Sequence, residues 1–206
     1  MSADLFEVAR AVARHDARAL QWIRSTPELA RQPIREGATR RAPTDFFLAE
    51  LQHHVYGGDT LLHVAAAAYA TDVARALVAA GADVRARNRR GAEPLHYAAD
   101  GGPTLRTWNP RAQARVVAFL IEAGADPNAV DKSGVAPLHR AVRTRCTGAV
   151  RALLEGGANP RSKNANGSTP LDLASTTTGR GGSGSPEAKK EQAAIAGLLS
   201  SALGSR

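Results

Sequence analysis

A short phrase recurs along this chain, and it constrains the fold more than any other feature of the sequence. The phrase reads GDTLLHVAA, GAEPLHYAA, GVAPLHRAV and GSTPLDLAS, beginning at Gly58, Gly91, Gly134 and Gly167. A second phrase keeps the same spacing and reads LVAAGADV from Leu77, LIEAGADP from Leu120 and LLEGGANP from Leu153. Repeats of this period indicate a solenoid, in which one supersecondary unit stacks on copies of itself.

The two phrases resemble the ankyrin repeat, whose signature is a turn, then T-P-L-H-x-A-A, then a second helix ending in L-L-x-x-G-A-D. The resemblance holds in register from Gly58 to Ala174. It implies an all-α repeat fold, a helix–turn–helix solenoid with β-turn fingers and terminal capping repeats, expected to be of bacterial type. The sequence departs from the signature at a few positions, namely Leu61, Glu93, Ala136 and Asp172.

The repeat register divides the chain into three regions. Residues 1–57 are expected to hold N-terminal capping helices and a linker, with a pair of helices over Leu5–Ile23 and a further helix over Phe46–His53. Full repeats are expected at 58–90, 91–133 and 134–166, and a fourth begins at 167. Residues 175–206 are expected to hold a Gly/Ser-rich insertion and a C-terminal capping helix with an inward stripe of Ile195, Leu198 and Leu199.

Glycine and proline mark the ends of the helices within each repeat. The first full repeat predicts helices over Leu61–Ala68 and Asp72–Ala80. A glycine follows each second helix, where it can adopt the left-handed conformation without steric cost, at Gly81, Gly124 and Gly157. A proline falls in the first turn of the later first helices, where its missing N–H costs nothing, at Pro94, Pro137 and Pro170.

The second repeat carries extra residues between its two helices. The segment Gly101–Gln113 is rich in Gly, Pro and Asn, which predicts a loop. Extra residues in a repeat must lie outside the shared core. The loop is therefore expected to project from the stack and to leave Trp108 at least partly exposed.

Composition limits the cellular compartment and the kind of partner that are expected. The single cysteine, Cys146, excludes an intrachain disulfide and favours a reducing compartment. The first residues carry charges throughout without an apolar core, and no run of 18 apolar residues occurs, so a cytoplasmic protein is expected. A monomer is expected as well. The formal net charge is +8, with the excess concentrated after residue 134. This excess indicates either an ordinary solvated surface or an anionic partner.

No group of residues in the sequence assembles a catalytic, metal or cofactor site. His63, His96 and His139 share one repeat position, and the resemblance implies a structural hydrogen bond to the next unit, since stacked layers lie too far apart to share a metal ion. The G-x-G-x-x-G of Gly179, Gly181 and Gly184 lacks a preceding strand, which favours a flexible loop, with anion binding by 176–186 left open. Cys146 fits as a small apolar filler.

The resemblance implies that partners bind the concave surface formed by the fingers and first helices. Eleven candidate contact residues follow position by position, and the inserted loop adds Trp108, which gives twelve: Arg87, Arg89, Arg90, Ala92, Asp100, Trp108, Lys132, Ser133, Val135, Arg143, Lys163 and Asn166. Six of them are basic and are expected to align, with Arg143 behind the row. We therefore expect a protein partner with an acidic surface or segment. Nucleic acid or another polyanion is the alternative, disfavoured because the finger tips carry no aromatic residue.

Overall fold

A computed structural model describes residues 4–39, 44–101, 108–176 and 186–204. These residues form a mostly helical solenoid, as the repeat pattern predicts. The helices are α1 (Leu5–Ala13), α2 (Arg18–Ser25), α3 (Leu61–Ala67), α4 (Thr71–Ala79), α5 (Pro94–Ala98), α6 (Pro110–Glu122), α7 (Pro137–Arg143), α8 (Thr147–Glu155), α9 (Pro170–Ser175) and α10 (Pro186–Gly204). A 3-10 helix (Pro27–Arg31) and a hairpin of β1 (Phe47–Leu48) and β2 (His53–His54) complete the described elements.

The helices stack in two layers. One layer runs α1, α3, α5, α7, α9, and the other runs α2, α4, α6, α8, α10, each helix packing on the next. The pair α1 and α2 thus continues the stack before the first repeat, and α9 and α10 continue it after the third. The core between the layers is built from alanine, leucine and valine, because close stacking of short helices leaves room for few large side chains.

The two helices of the first full repeat begin and end within one residue of the predicted positions. Pro94, Pro137 and Pro170 are the first residues of their helices. The glycines after the second helices adopt positive φ angles of +89° at Gly81, +101° at Gly124 and +90° at Gly157. A side chain at these positions would strain the backbone, so glycine fixes the exit from each second helix.

Each finger is held by one polar side chain at its base. The side-chain Oδ1 of Asn88 accepts hydrogen bonds from the backbone N–H groups of Arg90 (2.8 Å) and Ala92 (3.1 Å). Asp131 and Asn164 make the equivalent bonds in the next two fingers, which confirms their expected role as turn formers. The tips are also linked, since Lys132 N–H donates to Arg90 C=O (3.0 Å) and Ala165 N–H to Ser133 C=O (3.1 Å).

The prediction of a helix over Phe46–His53 is wrong, because this segment forms the hairpin. Phe47 pairs with His54, and Leu48 pairs with His53. The chain reverses at Gln52, which has a φ of +50°. The apolar residues Leu48, Leu51 and Val55 are buried, and Val55 C=O accepts from the Ala38 N–H at 2.7 Å. Pairing with a distant segment of backbone therefore overrides the local helical spacing.

The hairpin also extends the row of fingers. Arg89 N–H donates to Gly57 C=O at 2.8 Å, the same link that joins each later finger to the one before it. The chain just before the first repeat thus takes the place of a preceding finger.

The predicted loop at Gly101–Gln113 is wrong at its C-terminal end, because α6 begins at Pro110. Asn109 caps this helix by accepting from Ala112 N–H (3.0 Å). Gln113 is fully buried and its amide donates to Ala98 C=O (2.9 Å). Trp108 is half-buried, packs against the core, and donates its indole N–H to Gln113 Oε1 (2.8 Å). The centre of the predicted loop, 102–107, lies outside the described residues.

At the C-terminal end, α10 begins at Pro186 and buries Ile195 and Leu199. Its Glu191 Oε2 accepts the backbone N–H of Thr147 (3.1 Å), so α10 caps the start of α8. Gly179, Gly181 and Gly184 lie outside the described residues. Among the helices that are described, none combines the length and the apolar character needed to cross a bilayer.

Candidate functional site

The three repeated histidines join neighbouring repeats. The Nδ1 atoms of His63, His96 and His139 accept backbone N–H groups at the start of their own helices, at 3.1, 3.1 and 3.2 Å. The proton therefore resides on Nε2, which donates to the next repeat, to Ala92 C=O (3.1 Å), Val135 C=O (3.0 Å) and Ser168 C=O (3.3 Å) respectively. Burial lowers the pKa of His96 to about 4, so its ring stays neutral. This confirms the structural role.

The one cysteine, which is the remaining candidate nucleophile, is held inside the fold. Cys146 is buried, and its Sγ–H donates to Gly101 C=O at 2.8 Å. Burial raises the pKa of this thiol to about 12, so it stays protonated. Over the described residues, no three His, Cys, Asp or Glu side chains cluster in a way that could hold a metal ion.

A concave cleft of about 600 Å³ lies where the hairpin, the first helices and the fingers meet. The hairpin side is formed by Leu51, Gln52, His53 and Tyr56. The floor is formed by the ends of α3, α5 and α7 and the residues after them, with Ala67, Tyr69, Tyr97, Asp100, Arg140 and Arg143. The fingers contribute Arg90, Asp131, Ser133, Val135 and Asn166. The cleft therefore spans three successive fingers and is bounded at its N-terminal end by the hairpin.

A partly buried cluster of ionic side chains fixes the floor of this cleft. The Arg140 side chain is 12% exposed, and its guanidinium donates to Asp100 Oδ2 (2.8 Å) and Asp131 Oδ2 (2.9 Å). Burial alone would raise the pKa of Asp131, but Arg140 and the N–H groups of Ser133 and Val135 outweigh it and lower that pKa. Arg143 lies farther from Asp100, at 3.8 Å. The cluster ties together α5, α7 and one finger.

At the mouth of the cleft, Arg90 is held in place by a tyrosine. Its guanidinium carbon lies 4.9 Å from the centre of the Tyr56 ring, and Nη1 donates to the Tyr56 hydroxyl at 3.0 Å. The stacking uses one face of the guanidinium and the hydrogen bond uses one of its five N–H donors. Arg90 is exposed, and these two contacts fix the position from which its other N–H donors can reach a partner.

All three tyrosines of the chain line this one cleft. Tyr69 donates its hydroxyl proton to Asp100 C=O (2.8 Å). The Tyr97 hydroxyl donates to Asp59 Oδ2 (2.8 Å), and Asn88 donates to the other oxygen of the same carboxylate at 2.8 Å. The His53 ring packs on Tyr97 with 4.4 Å between ring centres. The rings of Tyr69 and Tyr97 are therefore fixed by the hydrogen bonds that their hydroxyls make to Asp100 and Asp59.

The structure divides the twelve predicted contact residues between the cleft and its surroundings. Those that line the cleft are Arg90, Ala92, Asp100, Ser133, Val135, Arg143 and Asn166, although Ala92 is only 1% exposed. Those that lie outside its lining are Arg87, Arg89, Trp108, Lys132 and Lys163. The six basic residues thus do not share one wall.

The basic residues outside the cleft differ in what holds them. Arg87 pairs with Glu93, with Nε 3.0 Å from Oε1. Arg89 donates to Ala38 C=O, and its guanidinium carbon lies 5.3 Å from the centre of the Tyr56 ring, so it anchors the N-terminal segment. Lys132 and Lys163 are exposed on successive fingers.

Several residues that line the cleft were not predicted from the sequence. Tyr97 and Arg140 occupy the variable position directly after the repeated histidine. That position lies three residues before Asp100 and Arg143, on the same helix face, which is the signal that identifies it. His53 and Tyr56 carry no such signal, since they come to the cleft only through the unpredicted hairpin.

Comparison with known families agrees with this geometry. The profile of the ankyrin repeat matches residues 57–89 and 90–132, and a profile of multiple ankyrin repeats matches 120–174. Together the matches span more than half of the 206 residues. The chain belongs to the ankyrin repeat family. Ankyrin repeats are generally protein–protein interaction modules. No match bears on the expected bacterial type, which stays a prediction, and the comparison with curated proteins gave no match.

Proposed function

We propose that this ankyrin repeat protein binds a partner protein through an acidic segment of the partner that lies in the cleft. The observation that carries the proposal is Arg90, whose guanidinium is stacked on Tyr56 at the mouth of the cleft. In the described part of the chain, no carboxylate forms an ion pair with it. A planar guanidinium in a fixed position suits a carboxylate, which it can bind with two parallel hydrogen bonds.

The charge of the cleft supports an acidic partner. Three guanidinium groups, of Arg90, Arg140 and Arg143, line it together with two carboxylates, of Asp100 and Asp131. Both carboxylates already accept from Arg140. Lys132 adds a positive charge on the finger next to Arg90. An approaching acidic segment therefore meets a net positive rim, which favours association at low ionic strength.

We propose further that the chain acts as a scaffold without catalysis, since ankyrin repeat proteins are typically non-catalytic. The helix pairs α1–α2 and α9–α10 are proposed to be its caps, because they continue the two layers at either end. The cytoplasmic location and the monomeric state expected from the sequence stay predictions.

The test is charge reversal at the mouth of the cleft. The double variant Arg90→Glu, Lys132→Glu should capture at least about tenfold less partner from an extract of the native cell, because like charges then meet across the interface. Arg89 is left unchanged because its hydrogen bond to Ala38 C=O is structural.

The matched control is Arg115→Glu with Arg151→Glu, which makes the same change of charge on exposed positions of α6 and α8. Unchanged capture by the cleft variant, or equal loss in the control, contradicts the proposal. Capture that nuclease abolishes and that falls steeply with salt would instead favour the nucleic-acid alternative.

A further inference from the structure

Four of the side chains that line the cleft are apolar or aromatic, and the part of the cleft that they line is called the recess here. Leu51 and Tyr56 from the hairpin, Ala67 from the end of α3 and Tyr97 from α5 face this space. Leu51 and Tyr97 are largely buried, with 8% and 3% of their surface exposed, so what they present is a lining and not a protruding patch. The finger side of the same cleft is polar, with Ser133 and Asn166.

The recess is rigid. The hydroxyls of Tyr97 and Tyr69 are held by Asp59 and by the Asp100 carbonyl, and the Tyr56 hydroxyl accepts from Arg90. Rings that are fixed before binding lose little conformational entropy when a partner covers them. Tyrosine and arginine are also the residues most enriched where a few contacts carry most of the binding energy.

We propose that the cleft selects an acidic segment that carries one bulky apolar side chain beside its carboxylate, with the carboxylate on Arg90 and the apolar side chain in the recess of Leu51, Tyr56, Ala67 and Tyr97. This inference rests on the proposed function and adds the chemistry by which the partner is selected.

Tyr56 sets the distance between the two partner groups. Its ring lies under the Arg90 guanidinium, at 4.9 Å, and also lines the cleft next to the recess. One side chain therefore contributes to both subsites. A carboxylate on Arg90 and an apolar group against Tyr56 must consequently come from residues close together in the partner sequence, within about one turn or two positions of extended chain. The rest of the cleft lining is mostly polar, so the remaining residues of the partner segment need not be apolar.

The experiment is selection of binding peptides from a random ten-residue phage library on the full-length protein. Binders should be enriched in Asp or Glu with a Leu, Ile, Met or Phe within two or three positions. Replacing that apolar residue with Ser in a synthetic copy should weaken binding about tenfold, since burial of such a side chain contributes that much. Tyr56→Ala should cause a similar loss, and Tyr56→Phe should retain most of the binding because it keeps the ring.

Two further variants keep the test decisive. Ala67→Gln places a longer polar side chain in the lining of the recess and should also weaken binding, even if Tyr56→Ala proves unstable. Arg115→Glu on α6 should bind like the wild type. Acidic binders without an apolar preference would overturn this inference and leave the proposed function standing. Failure to enrich acidic peptides, or equal binding by the Arg90→Glu variant, would overturn both.

Discussion

The repeats and the hairpin use the same residue type in opposite ways. In the repeats, His63, His96 and His139 have both ring nitrogens engaged, one with their own helix and one with the next repeat. In the hairpin, His53 Nε2 and His54 Nδ1 are buried and have no hydrogen-bond partner within the described residues. The repeated histidines are fixed by the requirements of stacking, so they carry no information about the partner. The hairpin residues are unique to this part of the chain, and the cleft takes its distinctive lining from them.

Removing one histidine of each kind should affect stability very differently. His96→Ala should lower the free energy of unfolding by about 4 kcal/mol, because two backbone groups lose their partner and a buried ring leaves a cavity. His53→Ala should cost about half as much, roughly 2 kcal/mol, since it loses the packing of its ring on Tyr97 but no hydrogen bond of Nε2. Urea denaturation of both variants measures the difference. Equal losses would show that the hairpin is as essential to stacking as the repeats.

Acid should weaken the repeats through the same histidines. Burial lowers the pKa of His96 from 6.5 to about 4, so the unfolded chain binds a proton more readily than the folded one. The stability contributed by the neutral ring is therefore complete above pH 6.5 and is lost as the pH falls towards 4. From pH 7 to pH 5 the loss from His96 should be about 2 kcal/mol. Denaturation at both pH values should show a smaller difference for His96→Gln. An identical pH dependence in that variant would contradict the assignment.

The insertion in the second repeat offers a smaller test. Trp108→Phe keeps an aromatic ring and removes the N–H that donates to Gln113 Oε1. It should cost about 1 kcal/mol, the typical net contribution of one hydrogen bond. Thermal unfolding followed by circular dichroism gives the value. A change near zero would show that the hydrogen bond of Trp108 does not stabilise the fold.

The exposed lysines should matter least for the fold. Lys132→Glu combined with Lys163→Glu should change stability by less than about 0.5 kcal/mol, because isolated surface charges contribute little. The same urea experiment tests this. A large loss would show that these finger-tip residues have a structural role.

The repeats and the hairpin also differ in how far the sequence predicts them. The stack, the helix ends and the role of His63 were predictable because each pattern recurs in register. The hairpin was not, since a strand pair depends on contacts such as Ala38 N–H with Val55 C=O, which no local pattern reveals. Seven of the twelve proposed contact residues line the cleft, and all seven occupy repeat positions. Tyr56 and Arg140 depend on partners that are distant in sequence, such as Arg90 and Asp100.

The links between fingers have a consequence for how such a chain can grow. Each joint is made by backbone groups at matching positions, as in Lys132 with Arg90 and Ala165 with Ser133. A tandem duplication of residues 134–166 would bring the same groups face to face at both new joints, whatever side chains they carry. The binding surface would lengthen by one finger at its C-terminal side. The Tyr56 and Arg90 pair at the other end would be unchanged. Related proteins could therefore differ in the length of the binding surface and still share this pair.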